Sequence, residues 1–437
     1  MNKPARSKNT ISLPKASESS YNHQMLSYFD NTHLYSMLEV QRMAVSPVNM
    51  VARAGRIING SPFNPWSYTD LGRSTGAFFE LLERVTRNYD KPIFGISETK
   101  VDGKTVQVYE HTVISKPFGN LLHFVKDSKK KQEKLLIVAP MSGHYATLLR
   151  GTVEGMLPHF DVYITDWINA RDVPLSEGIF DFDDYVEYVV EFLDIIEERA
   201  HVMAVCQPSV PVMAAVSLMA TMKDPMVPKS MILIGGPIDT RKSPTKVNQL
   251  AIEKPLEWFE KNVITRVPLN YPGFMRKVYP GFIQLTGFMQ LNLEKHVGEH
   301  LKLFEHLVDG DGDSADAHRK FYDEYLSVMD LDAEFYLHAI EHVFKEFSLP
   351  EGKMMVHGKL VKPQDITKTA VMCIEGEKDD ISGQGQTKAA LDLCKGLPAD
   401  KKVYRLQKDV GHYGLFNGRR FREFIVPAIA EFIKDNV

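Results

Sequence analysis

The chain has 437 residues, 44% of them hydrophobic and 25% charged, with 52 Lys+Arg against 56 Asp+Glu and a formal net charge of −4. That is ordinary globular composition with enough apolar content for a large core, and it offers no global basic field for nucleic acid. Three cysteines are too few for a disulfide framework in a chain of this size, which fits a reducing compartment, and no run of about 18 apolar residues is present to span a bilayer. The expectation is a soluble cytoplasmic protein of two or three structural units.

In chain order, residues 1–24 are rich in Ser, Lys, Asn and Pro and read as a disordered tail. The N-terminal stretch lacks an apolar segment of signal-peptide type. From Met25 to about Tyr89 the pattern is helical, and two extended segments near 93–115 suit a hairpin ahead of the core. Short continuous apolar runs then recur at Leu135–Pro140, Val162–Trp167, His201–Val205, Ser230–Gly235 and Ala370–Ile374, with one more at Lys402–Leu406. Continuous runs suit strands buried on both faces. Helical stretches lie between them at 145–156, 183–199, 209–222 and 384–396, so the predicted class is α/β with a mostly parallel, doubly wound sheet.

One interval breaks this alternation. Residues 242–366 are helical and aromatic, carry Tyr-Pro-Gly-Phe at 271–274 and again at 279–282, and contain no buried strand pattern. They read as a cap inserted late in the sheet, dividing the core into 25–241 and 367–437.

Ligands of open α/β sheets bind beyond the carboxyl ends of the strands. The His201–Val205 run ends on Cys206-Gln207-Pro208 before a helical stretch, where a strand-to-helix turn exposes a nucleophile above the sheet and the helix N-terminus favours an anion. The Ala370–Ile374 run leads into Asp379-Asp380, and Lys402–Leu406 leads into Gly411-His412-Tyr413-Gly414. Nucleophile, acid and histidine therefore follow in the α/β-hydrolase order, with Asp380 as the alternative acid. The G-x-S-x-G elbow is absent: Ala204 and Pro208 stand where its glycines would be, and Cys replaces Ser. A buried inert cysteine is the competing reading. Oxyanion donors are expected from the Gln207 backbone N–H and from Met141 or Ser142 in the loop after the first core strand.

Several segments closely resemble the intracellular polyhydroxybutyrate (PHB) depolymerases. They are Ala139–His144, Tyr163–Ile168, Cys206–Pro208, Gly235–Asp239, Tyr279–Phe282, Gly376–Gly383 and Gly411–Gly414, and the likeness runs from about Tyr35 to the C-terminus. The resemblance implies a cysteine hydrolase of stored polyester on an α/β-hydrolase fold, related to polyester synthases, with a triad of Cys206, Asp379 and His412. It implies the polyester granule surface as partner and cytoplasmic, granule-associated action. His144, Trp258, Tyr271, Phe274 and Phe282 are candidates for gripping the polymer, against the plain reading of cap aromatics as core.

No nucleotide fingerprint is present, and neither a cofactor nor a metal is expected. His338, Glu341 and His342 fit an H-x-x-E-H spacing, but that pattern without a third ligand reads as a packed or solvated helix. Asp309–Asp313 opens like a calcium loop and fails at Ser314 and Lys320, so it reads as a surface turn. Lys129–Lys131 reads as a solvated loop. The expected activity is hydrolysis of PHB esters through a thioester intermediate. A synthase-like acyltransferase and a non-catalytic granule-binding protein are the alternatives.

Overall fold

The computed structural model describes residues 18–437 except position 292, with side chains from Leu34 onward save those at 291, 295 and 317. Residues 1–17 of the expected tail lie outside the described residues. Helix α1 (Glu18–Asn59) and α2 (Asp70–Thr86) lead the chain; the helical pattern predicts helix from Met25, but α1 already begins at Glu18, inside the stretch that reads as a disordered tail. Thr69 caps α2 by accepting from the Gly72 N–H at 3.0 Å.

Strands β1 (Glu98–Val101), β2 (Lys104–Lys116), β3 (Gly119–Lys126), β4 (Lys134–Val138), β5 (Asp161–Trp167), β6 (His201–Val205) and β7 (Ser230–Ile234) follow, interleaved with α3 (Arg150–Met156), α4 (Phe182–Ile195) and α5 (Ser209–Met222). The cap then carries α6 (Lys246–Glu253), α7 (Leu256–Val263), α8 (Gly281–Leu291), α9 (Leu293–Asp309), α10 (Gly312–Tyr325) and α11 (Ala333–Ala339). Three two- or three-residue strands, β8 (Thr265–Arg266), β9 (Lys277–Tyr279) and β10 (Leu331–Asp332), make a small antiparallel sheet within it, which the sequence reading did not anticipate. After a short β11–β12 hairpin (Met355–Val356, Lys359–Leu360), the chain returns to the core as β13 (Ala370–Gly376), α12 (Ala389–Leu393), β14 (Lys402–Gln407), α13 (Gly418–Arg420) and α14 (Val426–Lys434).

The main sheet runs β1-β2-β3-β5-β4-β6-β7-β13-β14. From β5 to β14 every neighbouring pair is parallel, and β3 joins β5 antiparallel. A mostly parallel sheet with crossing helices, antiparallel strands at its start and an insertion before the last two strands is the α/β-hydrolase fold. The expected hairpin near 93–115 is part of it: Asp102 (φ 50°) and Gly103 (φ 79°) turn β1 into β2, and β3 completes a three-strand extension.

The inner parallel strands are buried on both faces because helices cover both, whereas β14, at the sheet edge, has no buried residue. All five residues of β6 and of β7 are buried, as their uninterrupted apolar sequences require. The end of β4 is clamped from its neighbours: the Ala139 N–H donates to Thr165 Oγ1 at 2.9 Å, and the Ala139 carbonyl accepts from Trp167 Nε1 at 2.8 Å and Tyr185 Oη at 3.1 Å. That clamp fixes where the following loop, 140–144, leaves the sheet.

The cap is tied to the core through buried polar contacts. Arg276, 1% exposed, donates to the carbonyls of Val173, Pro174 and Gly178 and pairs with Asp332 at 2.8 Å. Helices α1 and α2 brace the cap's far side, where Arg319 makes a two-point pair with Glu80 and Tyr35 bonds Asp330. No helix among the described residues is long and apolar enough to cross a membrane.

Candidate active site

Cys206 sits on the turn between β6 and α5 with φ 67°, the left-handed region that a non-glycine residue enters only under constraint. Its N–H donates to the Ile234 carbonyl at 2.7 Å, and its own carbonyl receives the Ser209 N–H at 3.1 Å. The turn is tight without the glycines of a usual elbow because the close approach falls on the neighbouring loop. A Cβ on Gly236 would stand 2.0 Å from Ser209 Oγ and 3.0 Å from the Cys206 carbonyl oxygen.

His412 lies in the short turn after β14, and Asp379 in the loop after β13. His412 Nδ1 and Asp379 Oδ2 are 2.8 Å apart, with both side chains almost fully buried. Asp379 Oδ1 accepts from the N–H groups of Ile381 (2.9 Å) and Ser382 (2.8 Å), which fixes the carboxylate plane. With Nδ1 turned to Asp379, Cys206 is the second side chain that interacts with this ring. Burial opposes charge on this imidazole, but the Asp379 carboxylate and Cys206 on either side outweigh it and hold its pKa well above the ordinary histidine value. Asp379 therefore occupies the position beside His412, while Asp380 faces a neighbouring cavity.

The loop after β4 supplies the opposite wall. The Met141 N–H points at the elbow and donates to Gln207 Oε1 at 3.2 Å, so of the two expected loop donors Met141 is the one aimed at Cys206's neighbour. Gly143, at φ 99°, passes so close to α8 that a Cβ would meet Gln284 Oε1 at 2.6 Å. The Gly143 carbonyl accepts the Met329 N–H at 2.7 Å, which pins this loop to the cap.

Cys206, Gln207, Met141, Ser142, His144 and His412 all line one cavity of about 340 Å³, roofed by Phe259, Tyr279, Phe288, Phe335, Tyr336 and Val343. Of the polymer-gripping candidates, the structure brings only His144 there. Trp258 packs in a satellite cluster with Phe259 and Ile340. Tyr271 and Phe282 pack against Tyr35, and Phe274 is 39% exposed elsewhere on the cap. Sequence reasoning missed the roof aromatics, although Phe259 is the immediate neighbour of Trp258. His338 and His342 face Asp181 and Glu346 outside the cavity.

His144 is 2% exposed, and its Nε2–H donates to the Tyr325 carbonyl at 3.0 Å. Burial pushes its pKa down to about 4, so the ring is neutral and Nδ1 is left as an acceptor. The unfolded chain takes up this proton first. Stability from His144 is thus full above about pH 6.5 and lost as pH falls toward 4, by about 3 kcal/mol at most. Denaturant titrations at pH 7 and 4.5 should show this loss, and His144→Gln should reduce it; an unchanged pH dependence in the variant would refute the assignment.

A second prediction concerns Gly235, at φ 57°, whose added Cβ would stand 3.3 Å from both Asp379 Oδ2 and His412 Cε1. Gly235→Ala should lower ester turnover on the order of 10²-fold through this displacement. Circular dichroism should find the fold retained. Wild-type turnover in the variant would show that the pair tolerates the shift.

A thiol, an imidazole and a carboxylate in line, facing backbone N–H donors in an apolar cavity, form an arrangement able to attack an ester carbonyl. Residues 235–437 match the family model described as PHB de-polymerase C-terminus. That stretch is a PHB depolymerase C-terminal domain. The matched domain holds the cap, Asp379 and His412, while Cys206 and the 140–144 loop precede it.

The chain is also similar to solved hydrolases at low identity. A thermophilic esterase from Thermogutta terrifontis is 11% identical over 78% of this chain and 97% of its own, with a TM-score of 0.38. A monoacylglycerol lipase from Paleococcus ferrophilus is 12% identical over 76% and 100%, with a TM-score of 0.41. The 2-hydroxy-6-oxo-6-phenylhexa-2,4-dienoate hydrolase of a Rhodococcus strain is 12% identical over 75% and 99%, with a TM-score of 0.42. At these scores the strand order, not the likeness, carries the fold. No curated protein matches the sequence.

Proposed function

We propose that the protein hydrolyses the ester bonds of poly(3-hydroxybutyrate) through Cys206, His412 and Asp379, by way of a thioester intermediate. The observation that carries this reading is the left-handed Cys206 partnered by His412, whose other nitrogen is held 2.8 Å from Asp379 at the base of an apolar cavity.

In the resting pair His412 already holds the proton given up by the thiol, and Sγ attacks the ester carbonyl carbon. The oxyanion is received by the Met141 N–H, which gives up Gln207 Oε1, and by the Gln207 N–H. On collapse the C–O bond breaks, and the departing alkoxide takes the proton from His412 Nε2. Water then delivers a proton to His412 and its hydroxide to the thioester, which releases the acid and restores the resting pair. Asp379 keeps the ring oriented and stabilises the imidazolium at each stage. Depolymerase action of this kind belongs with cytoplasmic storage granules, and three unpaired cysteines fit a reducing compartment.

Amorphous PHB granules incubated with purified protein should release soluble 3-hydroxybutyrate and its oligomers. Absence of any soluble product, with the protein folded, would overturn the proposal.

A further inference from the structure

His412 and Tyr413 stand between two cavities. The apolar one holds Cys206 and the Met141 N–H. The other, about 770 Å³, opens between α9, α10 and the loops 378–381 and 411–414, and Cys206 does not line it. Its walls mix apolar surface from Phe288, Phe321 and Ile381 with polar and charged groups: Glu299, Lys302 and Ser314 from the cap, and Lys378 from the core.

The proposed chemistry assigns the two halves of an ester to these two spaces. The acyl half bonds to Sγ and its oxyanion needs the Met141 N–H, so it stays in the apolar cavity. The alcohol half departs with its oxygen at His412 Nε2, on the ring that forms the shared wall. In a polyhydroxyacid it is the alcohol half that bears the free carboxyl end. A carboxylate in the Cys206 cavity would meet mostly apolar walls with one ammonium, Lys246, whereas the second cavity offers two, Lys302 and Lys378, beside its hydroxyls.

Charge in the second cavity is mixed but adaptable. Lys302 Nζ lies 2.8 Å from Glu299 Oε1, and Lys378 Nζ lies 2.6 Å from Asp409 Oδ1. Both pairs are exposed, so each is weakly held and able to share its ammonium with an arriving carboxylate. Asp380 also lines the space, and burial keeps His318 neutral with a pKa lowered to about 4.

Resting on the depolymerase reading, we propose that this second cavity is the alcohol-side subsite: it receives a 3-hydroxyacid unit with its free carboxylate directed to Lys302 and Lys378. The protein then shortens soluble hydroxyacid oligomers from their carboxyl ends.

The test compares kcat/KM for the 3-hydroxybutyrate trimer as free acid and as methyl ester, in the wild type, Lys302→Glu and Lys378→Glu. The wild type should favour the free acid, mainly through KM. Charge reversal should lower the acid-to-ester ratio by about tenfold. A wild type indifferent to the terminal carboxylate, or ratios unchanged in both variants, would overturn this subsite alone. Failure of the wild type to cleave either trimer would overturn the depolymerase reading together with it.

Discussion

Cys206→Ala is expected to lower PHB hydrolysis by about 10⁴-fold or more while the protein stays folded. The size of the effect follows from position. Sγ is the one reacting atom that His412 faces, and no second hydroxyl or thiol replaces it at the turn: the Ser209 hydroxyl is buried against Gly236, where an added Cβ would come within 2.0 Å of it. Cys373 and Cys394 are fully buried, and burial pushes both thiols up, Cys394 to about 12, which leaves them protonated and inert. Stability should change little, because alanine inherits the same left-handed backbone and removes only a half-buried sulfur. Product release by the variant at a tenth of the wild-type rate would remove Cys206 from the chemistry; melting curves on both proteins separate that result from misfolding.

Asp379→Asn should cost on the order of 10⁴-fold in kcat, for a reason visible in the hydrogen bonds. Oδ1 accepts two backbone N–H groups, from Ile381 and Ser382, so an asparagine keeps its carbonyl oxygen there and turns its NH2 toward His412. An NH2 cannot accept from Nδ1–H. The ring then takes the tautomer with its proton on Nε2, facing Cys206, and no longer serves as a base. Asp380→Asn should have a far smaller effect on kcat, because that side chain faces the second cavity. Steady-state kinetics on a soluble ester with both variants decide between the two acids, and equal losses would contradict the assignment.

Five strands of the parallel core were legible because burial on both faces leaves unbroken apolar runs, and they lie where those runs are; β14, an edge strand with no buried residue, lies where Lys402–Leu406 suggested one more. The expected helix at 384–396 is shorter in the structure, where α12 spans Ala389–Leu393. The buried Glu375 carboxylate takes the N–H groups of Gly385 and Lys388 that a longer helix would have left for capping. A long-range partner of this kind leaves no local pattern. Likewise β3 was missed: Asn120-Leu121-Leu122-His123-Phe124 neither alternates strictly nor forms an unbroken apolar run, and its burial follows the same mixed pattern.

At the site, the positions of Cys206, Asp379 and His412 were readable from the strand ends that carry them. That the Met141 N–H donates to Gln207 Oε1 was not, since it turns on the direction of a single N–H in a loop. The cavity aromatics were missed for a geometric reason. Neighbouring residues on a helix point about 100° apart, so the apolar pair Trp258-Phe259 sends only one ring into the cavity, and tertiary packing decides which. Tyr271 and Phe282 went instead to the contact with Tyr35, a residue more than two hundred positions earlier in the chain.

The most direct measurement is acid quenching of the enzyme during turnover of a 3-hydroxybutyrate oligomer, followed by peptide mass spectrometry. A hydroxybutyryl thioester on the peptide that contains Cys206, absent when the protein is first alkylated with iodoacetamide, is the expected result. An acyl group found on another residue, or full turnover by the alkylated protein, would contradict the account.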